Sequence, residues 1–162
     1  MSGDGRERVG DPEIRPVRLR PLLAIAVRVD PPVVVDAERR YVPLVGGTFE
    51  GREGLHGIVL PGGADWQRVC PDGSLELDAH YALRTDDGAG IEVHSTGVRR
   101  ADAEVLRRLD AGDDVDPEEY YFRTHIRLRA GHPTLAHLDG RLGISTGRRD
   151  ADVVHIHVHE VL

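Results

Sequence analysis

At 162 residues and 40% apolar composition the chain can bury one ordinary core and is short for two, and with aromatics at 4% that core is mostly Val, Leu, Ile and Ala. A net charge of −7 with 30% charged residues fits a soluble folded chain and excludes the clustered positive surface that binding to nucleic acid depends on. All 21 basic residues are arginine, which excludes a lysine Schiff base and a Walker-type phosphate loop. Residues 1–16 carry charges, Gly and Pro without periodicity. They read as a disordered tail ahead of one domain over 17–162, and they lack the apolar core of a signal peptide.

Leu22–Val29 and Pro32–Val35 are the first β-branched, apolar strand material. Short runs divided by turn signals follow. Tyr41–Val45 ends at Gly46-Gly47, Leu55–Leu60 at Pro61-Gly62-Gly63, Trp66–Cys70 at Pro71-Asp72-Gly73, and Ser74–Thr85 at Asp86-Asp87-Gly88. The two Asp-Gly pairs suit tight hairpins because they tolerate positive φ, so a meander of antiparallel strands is expected. Alternation is cleanest where Leu75, Leu77, Ala79, Tyr81 and Leu83 share one face and Glu76, Asp78, His80, Ala82 and Arg84 the other. Ile91, Val93 and Ser95 continue it against Glu92, His94 and Thr96.

Ala101–Ala111 is the exception. Asp102 suits an N-cap, Val105, Leu106 and Leu109 form an apolar stripe, and Gly112 suits a stop, which predicts one short amphipathic helix. The six acids from Asp110 to Glu119 then read as a solvated loop. Tyr120–Ala130 and Val153–Leu162 alternate as strands, and Leu135–Ser145 is expected to be another, or a hairpin broken at Asp139-Gly140. Eight to ten short strands at this spacing predict a mainly all-β fold, an antiparallel closed or nearly closed β-barrel with one short helix. A β-sandwich of the same strand count is the alternative. No apolar stretch approaches the roughly 20 residues needed to cross a bilayer, and the single Cys70 fits a reducing cytoplasm.

The run Gly46-Gly47-Thr48-Phe49-Glu50-Gly51, then Leu60-Pro61-Gly62-Gly63-Ala64-Asp65-Trp66-Gln67, then Asp72-Gly73, resembles the uncharacterised family UPF0311, also called DUF3237. The likeness runs on through Leu77-Asp78-Ala79-His80-Tyr81, Arg84-Thr85-Asp86-Asp87-Gly88, Thr96-Gly97-Val98-Arg99 and Tyr121-Phe122-Arg123-Thr124, covering about residues 20–162. The resemblance implies a calycin-like antiparallel barrel with a central cavity and brings no established activity. Three departures stand out: His80 where the family usually has Arg, His137-Leu138-Asp139 where Trp-Leu-Asn is usual, and His155, His157 and His159 on a final strand that is usually Tyr-rich.

Asp65, Trp66 and Gln67 follow two glycines, so a sharp bend could aim all three inward as an acceptor or base, a platform and a donor. The alternative is a bulge in which Trp66 plugs the barrel and Asp65 caps backbone N–H groups. Tyr121, Arg123, His125 and Arg127 share one strand face. If it lines the cavity, Arg123 binds an oxyanion with Tyr121 and His125 as proton donors or acceptors; otherwise it is a solvated face. Asp78, His80, Arg84 and His94 form either a polar wall or a surface ladder of opposite charges. His155, His157 and His159 point to one side, but i, i+2, i+4 spacing spreads them about 13 Å, so no metal is expected. Gly143-Ile144-Ser145-Thr146-Gly147 spells G-x-S-x-G, yet a strand rather than a helix follows, and a nucleophile elbow is rejected.

These features together point to a cofactor-independent cyclase, isomerase, dehydratase or hydrolase acting on a small anionic or secondary metabolite. Asp65, His80 and Arg123 are the expected catalytic residues, and Trp66, Gln67, Arg84, Tyr121 and His125 the expected ligand contacts. The expected partner is a small molecule, with neither nucleic acid nor membrane, and self-association is left open. The alternatives are a non-catalytic carrier with the same cavity and an interaction module with a filled barrel.

Overall fold

The computed structural model describes residues 15–162, so the tail expected over 1–16 lies, up to residue 14, outside the described residues. Ten strands run in chain order: β1 (Leu19–Val29), β2 (Val33–Val34), β3 (Arg39–Gly51), β4 (His56–Val59), β5 (Gly63–Val69), β6 (Leu75–Thr85), β7 (Gly90–Arg100), β8 (Tyr121–Ala130), β9 (Leu142–Asp150) and β10 (Val153–Val161). One helix, α1 (Ala103–Asp110), lies between β7 and β8. The sheet runs β1-β10-β9-β8-β7-β6, continues through β4 and β5, which share one position, and reaches β3. β3 pairs back to β1 from Leu23 opposite Gly51 to Val29 opposite Leu44, and this ladder closes an antiparallel barrel of eight strand positions. The barrel, not the sandwich, is the fold. Among the described residues, no helix is long and apolar enough to cross a membrane.

Period-two alternation sets what faces inward. On β6, Leu75, Leu77, Tyr81 and Leu83 are buried, and on β7 Ile91, Val93 and Ser95 are buried, as their spacing predicts. One half of the barrel is packed solid by residues such as Leu23, Phe49, Leu83, Ile91, Val93, Ile126 and Val158. The helix forms where predicted. Val105, Leu106 and Leu109 are buried, and the chain leaves the helix through Gly112 at φ +81°. Asp102 does precede the helix, but its side chain makes no capping hydrogen bond.

Two segments differ from expectation. Gly46 and Gly47 do not end a strand: β3 continues through them at φ +144° and +135°. A Cβ on Gly47 would lie 2.0 Å from the Ala26 carbonyl oxygen, so the glycine lets β1 approach β3 closely at the closing seam. The stretch expected as a strand over Leu135–Ser145 begins instead as a 3-10 turn, Pro133–Leu138, that buries Leu135 and Leu138. The Asp139 carboxylate accepts a hydrogen bond from the Ala130 N–H at 2.9 Å, and β9 starts only at Leu142. The G-x-S-x-G letters fall wholly inside β9, where Ser145 is buried and bonded to the Thr124 hydroxyl at 2.6 Å.

Candidate functional site

The half of the barrel beneath α1 is hollow. A cavity of about 60 Å³ opens there, walled by apolar side chains that include Val29, Val42, Leu77, Phe122 and Val154. At one water per ~10–15 Å³ of such space, it has room for about four to six waters. Asp65, Gln67, Tyr81, Ser95, Arg99, Thr124 and Arg149 contribute polar atoms to the same wall.

Asp65 and Gln67 sit two apart on β5 and therefore face the same way. The Gln67 amide N–H donates to Asp65 Oδ2 at 2.7 Å, and the Asp78 backbone N–H donates to Oδ1 at 3.2 Å. Arg40 Nε in turn donates to Gln67 Oε1 at 2.8 Å, which fixes the direction of the amide and so the donor offered to Asp65. Burial pushes the Asp65 carboxyl up to about 6, against the lowering pull of those hydrogen bonds and of the Arg99 charge. The Tyr81 phenol is pushed above its ordinary value by burial and by the Asp65 charge, so it stays protonated at neutral pH.

Arg99 ends the inward phase of β7 and is only 4% exposed. Its Nη2 reaches Asp110, the last residue of α1, at 3.4 Å. Burial lowers the pKa of Arg99 and of Arg149; the Arg40 charge pushes both the same way and the Arg149 charge adds to it at Arg99, against the raising pull of Asp110. Both guanidiniums remain cations at physiological pH all the same. Arg99 Nε and Arg149 Nε are buried without a hydrogen-bond partner among the described residues. A hydroxyl chain completes the wall: Ser95 Oγ donates to Thr124 Oγ1 at 2.8 Å, and Thr124 bonds on to Ser145.

Of the eight residues singled out from sequence, Asp65 and Gln67 line the cavity and six do not. Trp66 lies between them on β5 and must therefore face outward; it is 52% exposed and stacks on Tyr41 with ring centroids 4.9 Å apart. The expectation that all three turn inward is corrected by the pleat, which the glycines do not override. On β8 the inward residues are Phe122, Thr124 and Ile126, so Tyr121, Arg123 and His125 lie on the outer face. Arg123 sits over the Tyr121 ring at 5.1 Å and donates to the Phe122 carbonyl, outside the barrel.

His80 and Arg84 occupy the outer phase of β6. His80 approaches Glu92 at 3.5 Å and His94 bonds Asp78 at 2.8 Å, which makes this face the surface ladder of opposite charges. His155, His157 and His159 also point outward, because Ile156, Val158 and Glu160 hold the inward phase of β10. Sequence reasoning missed Arg99, Arg149, Arg40 and Tyr81. A signal was present for three of them: Tyr81 keeps the phase of Leu75 and Leu77, Arg99 that of Ile91, Val93 and Ser95, and Arg149 that of Ser145.

The family model described as "Protein of unknown function (DUF3237)" matches residues 17–161. A UPF0311 protein of Rhodopseudomonas palustris is 46% identical over 124 residues, 76% of this chain and 80% of that one. A crystal structure of a conserved protein of unknown function from R. palustris superposes with a TM-score of 0.88 at 40% identity, over 92% of this chain and 99% of the other. An enzyme from Penicillium herquei shares the fold at a TM-score of 0.68 and 18% identity, over 92% of this chain and 97% of that one. With the closed barrel, its cavity and these matches in agreement, the chain belongs to the DUF3237 (UPF0311) family.

Proposed function

We propose that the cavity is the site of a cofactor-independent reaction, a cyclisation, isomerisation, dehydration or hydrolysis, in which Asp65 moves a proton on a small anionic molecule. The observation that carries this is a carboxyl raised to about 6 inside an apolar cavity that also holds two arginines with spare donors. A base with that affinity is half ionised near pH 6 and mostly ionised at neutral pH, so it stands ready to take a proton and holds it well enough to return it. Gln67 and Arg40 hold its orientation, Tyr81 offers a neutral O–H, and the arginines stabilise negative charge that develops on the bound molecule. The shared fold of the Penicillium herquei enzyme is consistent with turnover in such a barrel. A cytoplasmic setting, resting on the unpaired Cys70, belongs to the same reading.

The carrier is the second reading, because a preformed cavity needs no turnover to bind. The test is a panel of carbon acids, esters and lactones incubated in deuterated buffer and followed by proton NMR. Catalysed exchange or turnover is expected, rising with pH through about 6 and falling roughly 10²–10⁴-fold in Asp65→Asn. Saturable binding across the panel with neither exchange nor turnover would replace the enzyme by the carrier.

A further inference from the structure

We propose that the ligand of this cavity is an amphipathic monocarboxylate, its carboxylate bridging Arg99 and Arg149 and its apolar body lying against the Val, Leu and Phe wall. The inference rests on the cavity being a ligand site, as argued above, and adds the class of ligand. Three guanidiniums, Arg40, Arg99 and Arg149, meet at this end of the barrel, and two carboxylates, Asp65 and Asp110, act on Arg99. With Asp65 ionised, the group carries one uncompensated positive charge. One anionic charge on the ligand balances it.

Donor geometry narrows the choice further. Arg40 already spends its Nε on Gln67, and Arg99 spends an Nη on Asp110. Arg99 Nε and Arg149 Nε are left, two buried donors on two separate guanidiniums without partners among the described residues. A buried charged donor left unpaired is costly, whereas a charge-assisted hydrogen bond to an oxyanion is among the stronger contacts a protein makes. The two fully buried Nε donors, on separate side chains, can each meet one oxygen of a bridging carboxylate. A phosphate brings a further oxygen and up to a second charge to a wall that is otherwise mostly apolar. Room for about four to six waters corresponds to roughly 120–180 Å³ of liquid, the size of a small aromatic or branched aliphatic acid.

Calorimetric titration with benzoate, benzyl alcohol and inorganic phosphate tests this on the full chain, on Arg149→Gln and on Arg148→Gln. Arg148 neighbours Arg149 but is exposed on the outer face, with its nearest carboxylates at 3.9 Å. Benzoate is expected to bind saturably, at least about tenfold more tightly than benzyl alcohol or phosphate. Arg149→Gln should weaken benzoate by about tenfold or more with little effect on benzyl alcohol, and Arg148→Gln should change neither. The proposal is overturned if benzoate gives no binding, if benzyl alcohol or phosphate binds as tightly, or if a folded Arg149→Gln binds benzoate normally. Should Arg149→Gln fail to fold, the wild-type comparison of benzoate with its neutral and phosphate counterparts decides alone. Benzoate binding without proton exchange on any compound sinks the catalytic reading and leaves this one standing. Exchange confined to neutral compounds overturns the carboxylate ligand and leaves proton transfer by Asp65 standing without an anionic substrate.

Discussion

Burial of a single carboxyl gives the protein a pH signature of unusual sign. Asp65 goes from 3.8 in its ordinary state to about 6 in the fold, so the folded state holds the proton more tightly than the unfolded one. The linkage then runs opposite to that of a salt-bridged acid: the Asp65 contribution is most favourable below about pH 4 and is lost as pH rises through about 6. The change is on the order of 3 kcal/mol. Asp65→Asn, which cannot ionise, should flatten that stretch of the melting-temperature profile between about pH 4 and 6, measured by calorimetry on both proteins. An unchanged slope would mean that Asp65 ionises freely in the fold, and the base assigned to it would lose its tuning. The same residue shows how much one neighbour decides: without Arg40 on its Oε1, the Gln67 amide could turn its oxygen toward Asp65 and replace a donor by a repulsion.

Strand contacts set the next scale. β1 and β3 meet along a ladder that includes Val27 opposite Gly47, and the missing Cβ of Gly47 is what lets the two backbones approach. Gly47→Ala would set a Cβ 2.0 Å from the Ala26 oxygen on a residue at φ +135°. The positive φ alone costs about 1–3 kcal/mol, and the clash with backbone adds to it. Urea denaturation should show a loss of at least about 2 kcal/mol, or no folded protein. Gly90 at the start of β7 is the contrast, with open space around its would-be Cβ and no positive φ. Gly90→Ala should be neutral or stabilising by up to about 1 kcal/mol. Equal losses at the two positions would remove the seam argument.

At the scale of the whole barrel, the two ends are built from different chemistry. The hollow end gathers arginines around an open cavity with spare donors; the packed end instead gathers its arginines directly on one carboxylate, Glu160, which is 2% exposed. Arg20 from β1 binds Glu160 at 2.6 Å, Arg141 ahead of β9 at 2.8 Å and Arg52 after β3 at 3.1 Å, so one carboxylate on β10 ties both strands of the closing seam to the start of β9. Desolvation raises the Glu160 pKa, but the hydrogen bond from Arg20 and the charges of Arg20, Arg52 and Arg141 outweigh it and hold the carboxyl below its ordinary value. Its contribution is therefore present above pH 4.5 and lost as pH falls through the folded value, the opposite sign to Asp65. Glu160→Gln should cost about 3 kcal/mol at pH 7, the low end for a broken buried pair because its arginines are partly exposed. Chemical denaturation at pH 7 and again well below pH 4.5 checks it: the gap between wild type and variant should shrink in acid.

What the sequence determined by itself is whatever repeats along the chain. Alternation separated the apolar and polar faces of β6 and β7 and grouped the residues of β8 and β10 by side without saying which side of β8 turns inward. The Asp-Gly pairs placed the hairpins at Gly73 and Gly88, and the stripe of Val105, Leu106 and Leu109 marked the helix, because each is a local property of backbone period or φ. The same alternation turns Trp66 outward and Arg99 inward. What only the tertiary structure decided is closure and its consequences. The β1–β3 ladder joins residues such as Val29 and Leu44 through a bend that no dipeptide announces, and Gly46-Gly47 looks like a turn until a neighbouring strand needs the space. Closure also chooses which polar residues share a cavity. Asp65, Arg99 and Arg149 lie on β5, β7 and β9, and they come together because the barrel curls these separate strands around one hollow end, where burial and mutual charge give them properties none has alone.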